Sequence, residues 1–283
     1  MPSQSTRRSR ILVVSLVAIA FVIAVSLVKL PGGVDWYESI RPATETLLSL
    51  GSPYSSERGI NISATAPWGL LLLSPLLAFS PDAGRSLFLV VSLVGFVIAL
   101  RRMKASAAAL VFFLLSPPVL HSLLNANIDW LPILGFTLRP CYGIFLVSLK
   151  PQMGSCVIVF WIIQVWSRGG LKAVLREFSP FAAALLLSAV IYGPWFLEAA
   201  RIADYSQTWN ASLWPMSIPV GLLLLTDALR RSRVKSAYAA APCLSPYVLF
   251  HAWSGALSAL ADNALYMFVT VVGLWILVVS RML

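Results

Sequence analysis

Charge is what this chain has least of. Asp and Glu number 11 in 283 residues, and all charged residues together make up 11%, less than half of the roughly 25% found in ordinary soluble domains. That scarcity excludes an ordinary soluble domain, and no long charge run or disordered tract interrupts the chain. Cysteine is equally sparse. Cys141, Cys156 and Cys243 lie in or beside apolar segments without metal-ligand spacing, so they read as buried small hydrophobes, exclude a cysteine metal cage and do not fix a redox compartment. There are only two histidines, His121 and His251.

What fills the space is apolar sequence. Hydrophobic residues make up 59% and the mean hydropathy is +0.83, which predicts an all-α polytopic membrane protein forming one continuous domain over 1–283. The net charge of +10 does not point to nucleic acid, because the basic residues sit in short clusters between apolar runs, as in the cytoplasmic loops of membrane proteins. The opening "TRRSRILVVSLVAIAFVIAVSLVKL" has a basic leader, but its apolar run is long enough to span a bilayer, so it reads as an uncleaved anchor. Its "AVS" at 24–26 is the one cleavage alternative.

Apolar segments fall at 11–30, 67–79, 86–100, 105–120, 128–138, 140–149, 152–167, 179–197, 213–229, 236–250 and 264–280. Placing "RRSR" (7–10) inside puts 31–66 outside. The proline-containing "PWGLLLLSPLLAF" is too short to cross and predicts an outer juxtamembrane helix within 31–85. Keeping "SRGGLKAVLR" inside requires two half-helices with an elbow near Arg139. About ten crossings follow, with both termini cytoplasmic and only Glu177 and Asp227 among the acids facing inward. Ser-Pro pairs at 116–117, 179–180 and 245–246 predict helix starts.

Under that topology the unexplained polar residues share the outer face: Asp35 and Glu38, His121, "NANID" (125–129), Lys150 at the end of a half-helix, and His251 ending the span that begins "LSPYVLF". Ionisable groups at such depth are expensive unless partnered or functional. Each also has a plainer role. Asp35, beside Trp36 and Tyr37, suits a solvated loop at an aromatic belt; Lys150 can snorkel; the histidines can be structural; Asn127 and Asp129 suit caps for the half-helix near Leu131.

The arrangement resembles the membrane-embedded GT-C glycosyltransferases, in particular the polyprenyl-phosphate-mannose-dependent mannosyltransferase family. That family's Gly-Asp-aromatic element and "G-x-P-Y" turn are similar to "GGVDWYES" and "GSPY" (51–54). Its G-Q-x-N element is matched by "LNAN" in Asn127 alone. Its "G…KP" segment resembles "RPCYGIFLVSLKPQ", bringing in Gly143, Lys150 and Pro151, and its "S-P-x-S-W-x-H-H" element resembles "SPYVLFHAW" in Ser245, Pro246 and His251.

The resemblance implies a GT-C-like bundle that transfers a sugar, with inversion, from a polyprenyl-phosphate donor to an acceptor hydroxyl at the outer face. Asp35 would be the general base and His251 a second catalytic group. Lys150, Glu38, Tyr37, Arg58, His121 and Asn127 would contact substrate. The expected partners are the lipid-linked donor and membrane lipids. No cofactor is implied; Asp35 with Glu38 offers only two carboxylates to a divalent ion. Two other functions fit the sequence: an inactive GT-C-like scaffold within a membrane complex, and a transporter built on the half-helices.

Overall fold

The computed structural model describes residues 32–54, 64–205 and 207–281. The anchor run at 11–30 with its basic leader, and Arg58, lie outside the described residues. Within them the chain is all-α: every regular element is helical, and the only β feature is the isolated bridge between Asn210 and Leu249.

A π-helical turn, Asp35–Ile40, runs into α1, Arg41–Leu48. Where a juxtamembrane helix is expected the chain forms a short helix, α2, Pro67–Leu73, continued by a 3-10 turn over Ser74–Ala78. Next comes α3, Pro81–Arg102, begun by the Ser80 hydroxyl accepting from the Ala83 amide and closed by Arg101 and Arg102 at the negative end of its dipole. Its 22 residues give about 33 Å of helix, enough for a hydrocarbon core of about 30 Å.

The segment expected at 105–120 is broken. α4, Ala107–Leu114, and α5, Pro117–Asn125, meet at 59°, because Pro117 lacks the amide that a continuous helix would need. The elbow near Arg139 is present: α6, Trp130–Gly135, and α7, Pro140–Val147, flank an extended Arg139. Its open backbone groups find partners. Tyr238 Oη donates to the Phe136 carbonyl (3.1 Å), and Glu177 Oε1 accepts from the Cys141 amide (3.3 Å).

α8, Pro151–Tyr192, is two legs joined at Gly169–Gly170, where the backbone leaves helical geometry and Gly170 takes φ 60° and ψ −158°. The second leg runs back along α7, since Glu177 reaches Cys141 and Phe181 packs on Phe145. It begins near 171, well before the expected 179. Ser179–Pro180 is therefore inside a helix, not at its start; the lost amide of Pro180 is tolerated between Phe178, which is buried, and Phe181, which packs on Phe145.

After α9, Trp195–Tyr205, come α10, Ile218–Arg231, and α11, Val234–Cys243. The single span expected at 236–250 is not formed. The helix stops at Cys243, and 245–249 is non-helical, so Ser245–Pro246 starts no helix and His251 ends no span. His251 instead lies on a 3-10 turn, Phe250–Ala252, followed by α12, Trp253–Leu257, a further turn at Ser258–Leu260, and α13, Ala264–Ser280.

This reversal corrects the charge sorting. Lys235 Nζ pairs with Asp262 Oδ2 at 2.6 Å, so Asp262 lies on the face of Lys235 and not across the bilayer from it. An apolar count of 236–250 implies one straight span, where the chain leaves Lys235 and comes back beside it at Asp262.

By length and composition, Pro81–Arg102 and Pro151–Tyr192 can each cross a membrane, and the bent α4–α5 pair is a third candidate. Exposed apolar side chains such as Leu186, Val190 and Ile191 on α8 and Leu265, Val269 and Ile276 on α13 suit a lipid surround better than water.

Candidate functional site

The site forms where the first turn, the end of α5, the start of α6, the start of α8 and the 250–252 turn converge. Gly32 and Gly33 precede Asp35 with φ of 74° and 86°, a region where side chains are strained. A Cβ on Gly32 would sit 2.6 Å from the Leu124 carbonyl oxygen. The close approach lets the Gly33 amide donate to that oxygen at 2.6 Å. Trp36 Nε1 donates to the Pro81 carbonyl (2.9 Å), fixing the turn on α3.

Asn127 arrives from the other side. α5 ends with Ala126 in the left-handed region, the Ala126 amide donating to the Leu123 carbonyl and the Asn127 amide to that of Ser122. This pairing closes the helix and swings Asn127 inward. Its Nδ2 donates to Asp35 Oδ2 at 2.5 Å and faces His251 Nε2 at 3.1 Å. Its Oδ1 accepts from Lys150 Nζ.

Asp129 occupies the cap position of α6 but makes no cap hydrogen bond. Its Oδ1 accepts from Lys150 Nζ, and its Oδ2 lies 2.7 Å from His251 Nδ1. The cap reading of Asp129 is thus replaced by a buried ion pair. Lys150, between α7 and α8, does not snorkel; its relative exposure is 7%, against 8% for Asn127, 3% for His251 and 0% for Asp129. These values separate a dry inner cluster from a half-buried Asp35 on its rim.

Donor and acceptor matching assigns the protons. The Asn127 amide has two N–H groups, directed at Asp35 and at His251 Nε2, so Nε2 accepts and Nδ1–H donates to Asp129. Turning the amide over would set its NH₂ against the Lys150 ammonium. Protonating both ring nitrogens would set an N–H against the same NH₂. The arrangement that satisfies every partner has Nδ1–H donating to Asp129 and Nε2 accepting from Asn127, with Lys150 paired to Asp129 and Asp35 at the edge.

The turn carrying His251 is itself built. The Ala211 amide donates to the Val248 carbonyl (2.7 Å), the Asn210 side chain bonds both the Val248 amide and the Pro246 carbonyl, and Trp253 Nε1 donates to the Ala211 carbonyl. His121, exposed, stacks on His251 with centroids 5.7 Å apart and rings 15° from parallel, and its ring contacts the Asn125 side chain.

Of the expected site residues, Asp35, Asn127, Lys150, His251 and His121 are brought together. Tyr37 is directed elsewhere: its hydroxyl donates to Asp82 Oδ1 at 2.6 Å, and burial with that hydrogen bond pushes the phenol up to about 12. It follows Asp35 in sequence, but its hydrogen bond faces α3. Glu38 is exposed on the same π-helical turn. Among the described residues no group of three or more His, Cys, Asp or Glu could hold a metal ion.

Asp129 is the member that site prediction missed. Its signal was present: an acid inside the apolar run "NIDWLPIL" is costly unless partnered. No protein-family model, curated protein or solved structure matches this chain.

Proposed function

We propose that the protein transfers a sugar from a polyprenyl-phosphate donor to an acceptor hydroxyl at the outer membrane face, as the resemblance to GT-C mannosyltransferases implies. The acceptor oxygen attacks the anomeric carbon while the bond from that carbon to the phosphate oxygen breaks. The hydroxyl proton passes to Asp35, and the bonding electron pair leaves with polyprenyl phosphate. Attack opposite the leaving group inverts the anomeric centre.

Asp35 suits the base because it is half-buried at the edge of a dry cluster and one carboxylate oxygen is tied to Asn127. A carboxylate so placed both accepts the proton and stabilises an electron-poor, oxocarbenium-like centre. Lys150 supplies the positive charge opposite the departing phosphate, with Asp129 and the Asn127 side-chain oxygen fixing its ammonium. The short elements 128–149 and 67–79 wall the isoprenoid tail. Counting the bent α4–α5 pair as one span brings the candidate crossings among the described residues to three, short of the about ten that this fold would have.

The single observation that carries the reading is the meeting of Asp35, Asn127, Lys150 and His251 in one hydrogen-bonded cluster, with contacts reaching across 124 residues of sequence. Purified protein in liposomes, given radiolabelled polyprenyl-phosphate mannose and hydroxyl acceptors, is expected to transfer label, and Asp35→Asn to abolish transfer without loss of folded protein. A fully active Asp35→Asn would exclude the base.

A scaffold role is the second reading, and one observation favours it: Asn127, Asp129, Lys150 and His251 already satisfy one another, as a structural pin would. Isolation in a fixed-stoichiometry membrane complex, with no transfer from any lipid-linked sugar, would select it.

A further inference from the structure

Arg85 lies in the first turns of α3 at 1% exposure, and among the described residues no carboxylate is bonded to it. Its Nη2 donates to two backbone carbonyls, Leu123 (2.8 Å) and Leu124 (2.7 Å), and among the described residues Nε and Nη1 have no acceptor. A buried guanidinium is costly, and here it is balanced by the negative end of α5, where the last carbonyls lack helical partners.

The position of those carbonyls gives Arg85 a consequence for the site. The Leu124 oxygen also accepts from the Gly33 amide at 2.6 Å. One backbone oxygen therefore joins α3, α5 and the first turn. Asp35 is two residues beyond Gly33, and Asn127 is three beyond Leu124. A Cβ on Gly33 would come within 2.5 Å of Arg85 Nε, so the guanidinium also forms the floor under the glycine turn. Both partners of the Asp35–Asn127 bond hang from a joint that Arg85 holds.

We infer that Arg85 is a positioning residue that sets Asp35 against Asn127, acting through the Leu124 carbonyl and the Gly33 turn. Its effect on catalysis rests on the sugar-transfer reading of Asp35; its effect on the turn does not. Arg85 does not reach substrate. Losing it releases the α5 carbonyls and lets the glycine turn shift, which moves the carboxylate relative to the acceptor hydroxyl while leaving the Asp129–Lys150–His251 cluster in place.

Two measurements on the full-length protein test this. Hydrogen exchange of 32–40 is expected to rise about tenfold in Arg85→Met, with 151–168 unchanged and Arg85→Lys intermediate, since an ammonium keeps the charge but on a shorter side chain without the planar guanidinium under Gly33. In transfer assays, kcat should fall by about 100-fold for Arg85→Met, with KM for polyprenyl-phosphate mannose within about twofold and partial recovery of kcat in Arg85→Lys. If Arg85→Met does not fold, Arg85→Lys carries both measurements. Unchanged exchange at 32–40 in the folded variants overturns the inference whatever the activity, as does a loss confined to KM. Wild-type protein without transfer activity would remove the sugar-transfer reading, and the exchange result would still decide whether Arg85 holds the turn.

Discussion

Asp129 Oδ2 and His251 Nδ1, 122 residues apart in sequence, lie 2.7 Å from each other in a cluster closed to water. The contact fixes the imidazole tautomer, presents Nε2 to the Asn127 amide, and leaves the second Asp129 oxygen to hold Lys150. A single carboxylate thereby sets the orientation of both the histidine and the lysine. Without it, two basic groups would sit side by side in a dry place, Lys150 Nζ being 3.3 Å from His251 Nδ1.

The ion pair predicts an asymmetry between single and double substitution. Asp129→Asn leaves the Lys150 ammonium buried without its counter-charge and is expected to cost about 3–5 kcal/mol, as broken buried pairs do. Asp129→Asn with Lys150→Met removes both charges at similar volume and should recover most of that loss. Thermal unfolding in detergent for the two singles and the double gives the coupling. Additive losses would show that the pair is not coupled in the folded protein.

What the sequence made legible were features written in proline and length. Pro67, Pro117 and Pro140 begin helices, and the elbow at Arg139 follows from a run too long for one half-helix and flanked by basic loops. Asp35, Asn127, Lys150 and His251 were likewise readable as rare polar groups at the ends of apolar runs. The end of α11 was not. Tyr247, Val248 and Leu249 are as apolar as a helix would be, and hydropathy cannot separate a helix from an extended segment whose backbone is satisfied elsewhere, here by Asn210 and Ala211. Asp129 carried a signal, as an acid in an apolar run, but just before Trp130 it also has the spacing of a cap, and only the folded chain brings His251 beside it. Arg85 at the head of an apolar helix looks like an interfacial cation; its burial depends on carbonyls almost 40 residues away.

The break in α8 predicts a specific backbone cost. Gly170, with φ 60° and ψ −158°, occupies a region open essentially to glycine, and no heavy atom lies within 4 Å of the position a Cβ would take. Gly170→Ala therefore adds no clash, and any loss comes from the backbone. The expected destabilisation is about 1–3 kcal/mol, read as a lowered midpoint of thermal unfolding, with Ala173→Gly as a control for helix propensity in the following turn. An unchanged midpoint would mean that the two legs do not require this turn.

The Lys235–Asp262 pair fixes the course of the last two legs. In a background without native cysteines, Lys235→Cys and Asp262→Cys are expected to react with a membrane-impermeant maleimide from the same side, opposite to Glu38→Cys. Labelling from opposite sides would restore a single crossing between 235 and 262. The pair is partly exposed and adds little to stability. Its hydrogen bond from Lys235 holds the Asp262 carboxyl below the usual carboxylate range. That small contribution is full above the unfolded value of about 3.9 and is lost as pH falls through the lowered folded value.

The packing of α13 makes a further prediction, about the side on which Arg281 lies. α13 starts beside Asp262 and runs alongside α4, with Phe268 packed on Phe112 and Trp275 Nε1 donating to the Leu115 carbonyl at 3.1 Å. Both contacts advance in the same direction along the two helices, so α13 parallels α4 and travels toward the face where α5 delivers Asn127. Its 17 residues span about 25 Å, close to the hydrocarbon thickness. On that course Arg281 is expected on the side of Asp35, against the preference of basic residues for the cytoplasmic side, since one arginine is a small charge bias. A protease-cleavable tag after Leu283 is expected to be cut from the outside of intact cells or right-side-out vesicles. Protection there, with cleavage only after permeabilisation, would mean that α13 turns back before the outer face.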